Sequence, residues 1–168
     1  MVDEFEYIKI DMLNEQLLDE ILTIENDVFP NPYNENMIRA IVNDKDGLMI
    51  GCFLNEKLIG YIQVLRNLYS NDDLVIANLA VVEQYRGKGI AKNLMYMGCN
   101  HFKSNEFTTV ILQVRKDNEI AINLYKKLGF IISKHPSKDK TEDDHEMFTF
   151  KKVLNNNLKK NKKIAKRK

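Results

Sequence analysis

Cysteine is scarce in this chain: Cys52 and Cys99 stand far apart and without metal-ligand spacing. That leaves neither a disulfide scaffold nor a zinc module, and a reducing compartment is expected, the cytoplasm with the nucleus as the alternative. Long apolar runs are missing too, none approaching the ~20 residues of a spanning helix. The opening Met1-Val2-Asp3-Glu4-Phe5-Glu6 is acidic where a secretory leader is basic, so neither membrane insertion nor secretion is expected. Acids are absent from residues 151–168, which hold eight lysines and one arginine. Residues 1–150 therefore carry 16 bases against all 24 acids, a body near −8 with a tail of +9. An acidic body does not grip nucleic acid sequence-specifically, and it favours cationic substrates. What remains, 168 residues with 44% hydrophobic and 29% charged content, describes one domain with a core of ordinary size.

Periodicity places the elements. Tyr7-Ile8-Lys9-Ile10 alternates like a strand, and Leu17, Ile21, Ile24 and Val28 follow at helical spacing until Phe29-Pro30 stops the helix. Asn31-Pro32-Tyr33-Asn34 reads as a turn and Glu35 to Val42 as a second helix. Leu48 to Leu54 and Leu58 to Leu65 form a hairpin across Asn55-Glu56-Lys57. The run Leu74 to Val82 has the near-continuous apolar character of a central strand. A helix marked by Ile90, Leu94 and Met97 follows, then a strand over Thr108 to Val114. The next helix is capped by Asp117 or Asn118, striped with Ala121, Leu124, Tyr125 and Leu128, and stopped by Gly129. Phe130 to Lys134 and Glu146 to Val153 are the last strands, which puts the domain at residues 1–154 and leaves 155–168 as a basic tail without the apolar content to fold.

The strand-to-helix connection Arg86-Gly87-Lys88-Gly89-Ile90-Ala91 carries the chemistry. Glycines at a helix start let the backbone approach a ligand while amide donors converge at the positive end of the helix, an arrangement suited to phosphate. The Gly-Lys-Ser/Thr of a Walker loop is absent, and Lys92 stands where the dinucleotide fingerprint needs a small residue, so both nucleotide folds are set aside. A plain tight turn is the structural alternative.

Arg86-x-x-Gly89-x-Ala91 after an apolar strand resembles the acetyl-CoA signature of the GNAT superfamily of N-acetyltransferases, and Asn118-Glu119-x-Ala121-Ile122-x-x-Tyr125-x-x-x-Gly129-Phe130 resembles its second cofactor segment. The resemblance runs over residues 1–154. It implies an α/β GNAT fold: a single domain with a mixed sheet of six to seven strands and flanking helices. It further implies that the amides of Gly87, Lys88, Gly89, Ile90 and Ala91 hold the CoA pyrophosphate beside Arg86, and that the backbone of Leu79, Ala80 and Val81 pairs with pantetheine as an added strand. Asn118 would meet the cofactor through its amide, a role compatible with capping its helix. Tyr125, where it is not simply filling the helix stripe, would protonate the departing thiolate.

Within the superfamily the chain resembles N-terminal protein acetyltransferases of the Naa-fifty and ribosomal-protein-alanine types. Phe29-Pro30-x-x-Tyr33-Asn34 is similar to the loop with which the former grips its peptide, although Phe29 and Tyr33 would equally fill the space between two helices. Aligning the motifs puts Val75 and Gln113, beside the acceptor, where that type carries a tyrosine and a histidine base. Neither can take a proton. At pH 7 deprotonating an α-amine costs roughly 1 kcal/mol and a lysine about 4.6, so a site without an evident base favours the α-amine. The expected reaction is direct attack by a peptide or protein N-terminus on acetyl-CoA in a ternary complex, with a backbone amide near Val81 stabilising the oxyanion, Tyr125 as general acid, and the proton leaving through water to carbonyls or to a mobile acid such as Glu25 or the His145 region. A small-amine, polyamine or lysine acetyltransferase is the alternative, as is a weakly active CoA-binding partner subunit. Cys99 reads as a buried small hydrophobe. His101, His135 and His145 are scattered, and no metal is expected. For the tail, a contact with ribosomal RNA, a nuclear address and a solubilising end all stay open, as does a partner acetyltransferase subunit.

Overall fold

In the computed structural model the helical stripe of Leu17, Ile21, Ile24 and Val28 packs inward from α1 (Glu15–Val28). Asn14 caps this helix by accepting the Leu17 amide, and Phe29, extended and followed by Pro30, ends it. The structure describes residues 4–70, 72–102, 107–133 and 146–154. The elements run β1 (Glu6–Lys9), α1, α2 (Glu35–Asn43), β2 (Leu48–Leu54), β3 (Lys57–Arg66), β4 (Asp73–Val81), a short 3-10 turn at Glu83–Tyr85, α3 (Ile90–His101), β5 (Thr109–Arg115), α4 (Glu119–Lys127), β6 (Ile131–Ile132) and β7 (Met147–Val153). The seven strands hydrogen-bond in the order β1-β2-β3-β4-β5-β7-β6, with β4 parallel to β5 and β1-β2-β3 and β5-β7-β6 antiparallel. This is the mixed sheet with flanking helices that the sequence implies. The last strands differ: Phe130 lies ahead of a two-residue β6, and Lys134 falls outside the described residues, as do His135, His145 and the whole of 155–168.

The chain divides into two compact units, and β4 contributes to both. The first holds the residues up to Arg66 together with Ala77–Gly98. Its core joins Leu18, Ile21 and Ile24 of α1 and Ile38 of α2 to Met49, Leu58, Tyr61 and Ala80 on one face of the strands, with Phe29 and Tyr33 packed at its margin. The β2-β3 hairpin closes through Asn55 and Glu56, both in the left-handed region, which matches the turn type that the twist of two antiparallel strands favours.

The second unit holds Asn67–Ile76 and the described residues from Cys99 onward. Here Asp73–Val75 of β4 pair with Thr109–Ile111 of β5, and β5 pairs along its whole length with β7. Tyr125 and Phe130 of the α4 segment and Phe150 of β7 form a nest of rings with centroids about 6 Å apart (6.0 and 6.1 Å). Asn118 caps α4 by accepting the Ala121 amide, and Gly129 at φ 86° ends it in the left-handed conformation, both as the sequence indicates.

Candidate functional site

In the first unit the strand end Leu79-Ala80-Val81, half-buried at Leu79 and buried at the other two, leads through the 3-10 turn into the glycine connection. Gly87 and Gly89 have φ values of 78° and 82°, and nothing lies within 4 Å of where a side chain would start at either. The backbone is therefore both left-handed and bare on that side, a surface open to close approach. The Gly89 carbonyl accepts the Asn93 amide, which starts α3 there and leaves the amides of Ile90, Ala91 and Lys92 without intrahelical acceptors. Arg86 turns back, its Nε donating to the Val81 carbonyl at 3.0 Å, and so ties the strand end to the glycine connection. Lys88 rests near the Phe5 and Tyr85 rings, 5.9 and 5.8 Å from their centroids. Amide donors at a helix start with arginine and lysine beside them can hold a polyanion such as a pyrophosphate.

The family model of the acetyltransferase (GNAT) family matches residues 18–130, from within α1 through β4 and the glycine connection to the end of α4 and beyond. The chain belongs to this family. It is an acetyl-CoA-dependent N-acetyltransferase. Over 117 residues, 68% of this chain and 78% of the relative, it is 28% identical to N-alpha-acetyltransferase 30 of Schizosaccharomyces pombe. It is 30% identical over 102 residues to streptothricin acetyltransferase of Escherichia coli, of which it spans 58%, matching 61% of its own length. Among solved structures, a chain of the NatC complex bound to Gag peptide and CoA superposes with a TM-score of 0.78 at 24% identity, covering 90% of this chain and 99% of that one.

The acetyltransferase's first unit also contains a feature that the sequence reading mistook. Glu25 is not a mobile acid. It is fully buried, and its carboxylate accepts the Tyr33 backbone amide at 2.8 Å, the Asn78 Nδ2 at 2.7 Å and the Tyr61 hydroxyl. All three donors are neutral, and among the described residues no lysine or arginine pairs with it. Burial first, and then the bond to Glu25, pushes the Tyr61 hydroxyl far above the ordinary tyrosine range. Tyr33 is raised as well, by burial and by the Glu25 charge. The signal was present in the sequence: Glu25 follows Leu18 and Ile21 at helical spacing on the apolar face of α1, and Asn78 is the one amide in the Leu74 to Val82 run. An acid on a core face requires partners, and those partners lie on β3, β4 and the loop after α1.

Of the acceptor-side residues, Phe29 and Tyr33 are half-buried against the α1-α2 core while Pro30 is exposed, so the packing role and a surface role coexist in one loop. In the second unit Tyr125 is 8% exposed, and burial pushes its hydroxyl up to about 12. Among the described residues no hydrogen-bond partner meets that hydroxyl. Asn118 is exposed and engaged as a cap, Val75 is half-buried on β4, and Gln113 is exposed on β5. Cys99 is buried, as is Cys52. His101 stacks edge-on against Phe102 at the end of α3. Among the described residues no three His, Cys, Asp or Glu side chains gather as a metal site, and no helix is long and apolar enough to cross a membrane.

Proposed function

We propose that the enzyme acetylates the α-amine of a protein or peptide N-terminus. The observation that carries this reading is the buried Glu25 carboxylate, held by neutral donors alone behind the loop of Phe29 to Tyr33. A carboxylate engaged by three neutral donors and by no basic side chain favours a basic acceptor such as an amine. An α-ammonium surrenders its proton near neutral pH at a cost of roughly 1 kcal/mol, whereas a lysine ammonium costs about 4.6, which suits a unit in which the acid is tied down rather than free to take protons. The relation to N-alpha-acetyltransferase 30 supports the same acceptor.

In this reading the amides of Gly87 to Ala91 and the Arg86 side chain take the CoA pyrophosphate, Leu79 to Val81 align the pantetheine, and Asn118 contributes its amide. Phe29, Pro30 and Tyr33 take the peptide, and Val75 and Gln113 are assigned to the acceptor as well. The neutral amine attacks the thioester carbon, the C–S bond breaks, and the thiolate takes its proton from the Tyr125 hydroxyl while the amine's own proton passes to water. A hydroxyl held neutral by burial up to about pH 12 is in the donating form at any physiological pH. The reaction belongs to the reducing cytoplasm, and a partner subunit or the ribosome, reached by the basic tail, would deliver the N-terminus.

The second reading, acetylation of a small amine or polyamine, is favoured by the 30% identity to streptothricin acetyltransferase. Thiol release from acetyl-CoA with three acceptors separates the two: a peptide with a free Met N-terminus, the same peptide N-blocked with an internal lysine, and spermidine. Turnover on the first alone supports the N-terminal reading. Turnover on spermidine alone supports the second, and binding of acetyl-CoA without turnover on any amine points to a subunit that needs a partner.

A further inference from the structure

Asn78 stands on β4 directly before Leu79, and its partly exposed side chain reaches across to Glu25. The direction of that contact is chemically forced. An asparagine amide has one donating and one accepting end, and a carboxylate can only accept, so Nδ2 must face Glu25 and Oδ1 must face away. Glu25 is itself locked by the Tyr61 hydroxyl on the same oxygen and by the Tyr33 amide on the other, so the amide of Asn78 cannot turn over without breaking a buried bond. The side chain thus presents a fixed acceptor oxygen on the half-open side of β4. Among the described residues no donor meets Oδ1. This oxygen is one residue from the strand segment assigned to pantetheine, and its orienting carboxylate also holds Tyr33, in the loop assigned to the acceptor.

We propose that Asn78 Oδ1 receives an N–H of the incoming acceptor amine and orients it for attack, and that Glu25 is the positioning residue that sets the Asn78 amide. The proposal rests on the reading that this face of the first unit meets the acceptor, and it holds for any primary amine. Once the amine is neutral, its nitrogen keeps the lone pair for the thioester carbon while one N–H is spent on the oxygen, so the contact orients the amine without taking its proton. A lone charge without Asn78 would attract a cation but not orient it.

The test uses the full chain and whichever acceptor of the panel above the enzyme turns over, comparing Asn78→Ala, Asn78→Leu, Glu25→Gln and the double variant Glu25→Gln/Asn78→Ala. Acceptor KM and kcat, acetyl-CoA affinity by equilibrium binding, and thermal melting are measured for each. Asn78→Ala and Asn78→Leu are expected to raise the acceptor KM tenfold or more with acetyl-CoA affinity changed less than twofold. Glu25→Gln is expected to act on the same parameter, and the double variant to lose no more than Asn78→Ala alone, because the two residues act through one oxygen. An unchanged acceptor KM in both Asn78 variants, a parallel loss of acetyl-CoA affinity, or additive losses in the double variant each overturn the proposal. Should Glu25→Gln fail to fold, the two Asn78 variants at this half-open position decide alone. If spermidine is the acceptor and the free peptide is not, the N-terminal reading falls while Asn78 is judged on spermidine. If no amine is acetylated although acetyl-CoA binds, both fall.

Discussion

Each unit buries one tyrosine, and the two are buried in opposite ways. Tyr61 of the first unit is fully enclosed and donates its hydroxyl to Glu25, inside a network that also engages Asn78 and the loop after α1. Tyr125 of the second unit sits in a nest of phenylalanine rings, and burial alone raises its hydroxyl. A hydroxyl committed to a carboxylate builds structure, because removing the carboxylate strands the buried hydroxyl. A hydroxyl kept neutral by an apolar wall and engaged with no described neighbour is available for a reacting group. On the proposed reading the first ring builds structure and the second serves the reaction, and substitutions can break that assignment.

The largest effect is expected from Tyr125→Phe, which keeps the ring among Phe130 and Phe150 and removes only the oxygen. Loss of a general acid costs about 10²–10⁴ in kcat. Initial rates of thiol release should fall by that factor while the melting temperature and the acetyl-CoA affinity hold. A rate within threefold of the parent would reduce Tyr125 to packing and erase the contrast with Tyr61.

Glu25→Ala comes next, read in stability rather than rate. It strands the Asn78 amide, the Tyr61 hydroxyl and the Tyr33 backbone N–H together, and removing one member of a buried polar group costs about 3 kcal/mol. Urea unfolding monitored by circular dichroism should show the midpoint drop without a change in slope. Tyr61→Phe removes one donor and leaves two, and is expected to cost about 1 kcal/mol.

Alkaline pH separates the rings from a third side. For Tyr125 the folded state holds the proton more tightly than the unfolded chain, about 12 against 10.0. A raised folded value means that the contribution is complete below pH 10 and is lost as pH rises from 10 through about 12. Two units amount to roughly 3 kcal/mol in principle. The stability of the parent should therefore fall faster than that of Tyr125→Phe in this window, as measured by urea unfolding at pH 9 and pH 11. Equal pH slopes for the two proteins would contradict the burial argument.

The sequence predisposed some of this and concealed the rest. Helix α1, the β2-β3 hairpin, the central strand β4 and the left-handed stop at Gly129 followed from periodicity and turn chemistry, because local preference and burial agree there. The glycine connection was legible for the same reason, since positive φ at Gly87 and Gly89 is a backbone demand written in residue type. The Glu25 network was not, because its bonds join residues of α1, the loop after it, β3 and β4, far apart in the chain, and nothing in the spacing of Glu25, Tyr33, Tyr61 and Asn78 announces that they meet. A charged residue on an apolar helix face and one amide in the apolar run of β4 were the local signs, and neither says that the two side chains meet.

The smallest effects test whether the helix caps carry function as well. Asn34 caps α2 in the first unit and Asn118 caps α4 in the second, each accepting the amide three residues on. Replacing either by alanine should cost about 1 kcal/mol of stability, since the lost bond is the same. Their effects on acetyl-CoA differ if Asn118 has the second duty proposed for it: Asn118→Ala would then weaken acetyl-CoA binding severalfold, while Asn34→Ala would leave it unchanged. Isothermal titration with acetyl-CoA on the two variants reads this directly. Equal affinities would confine Asn118 to capping, and the second unit's part in holding acetyl-CoA would then fall away.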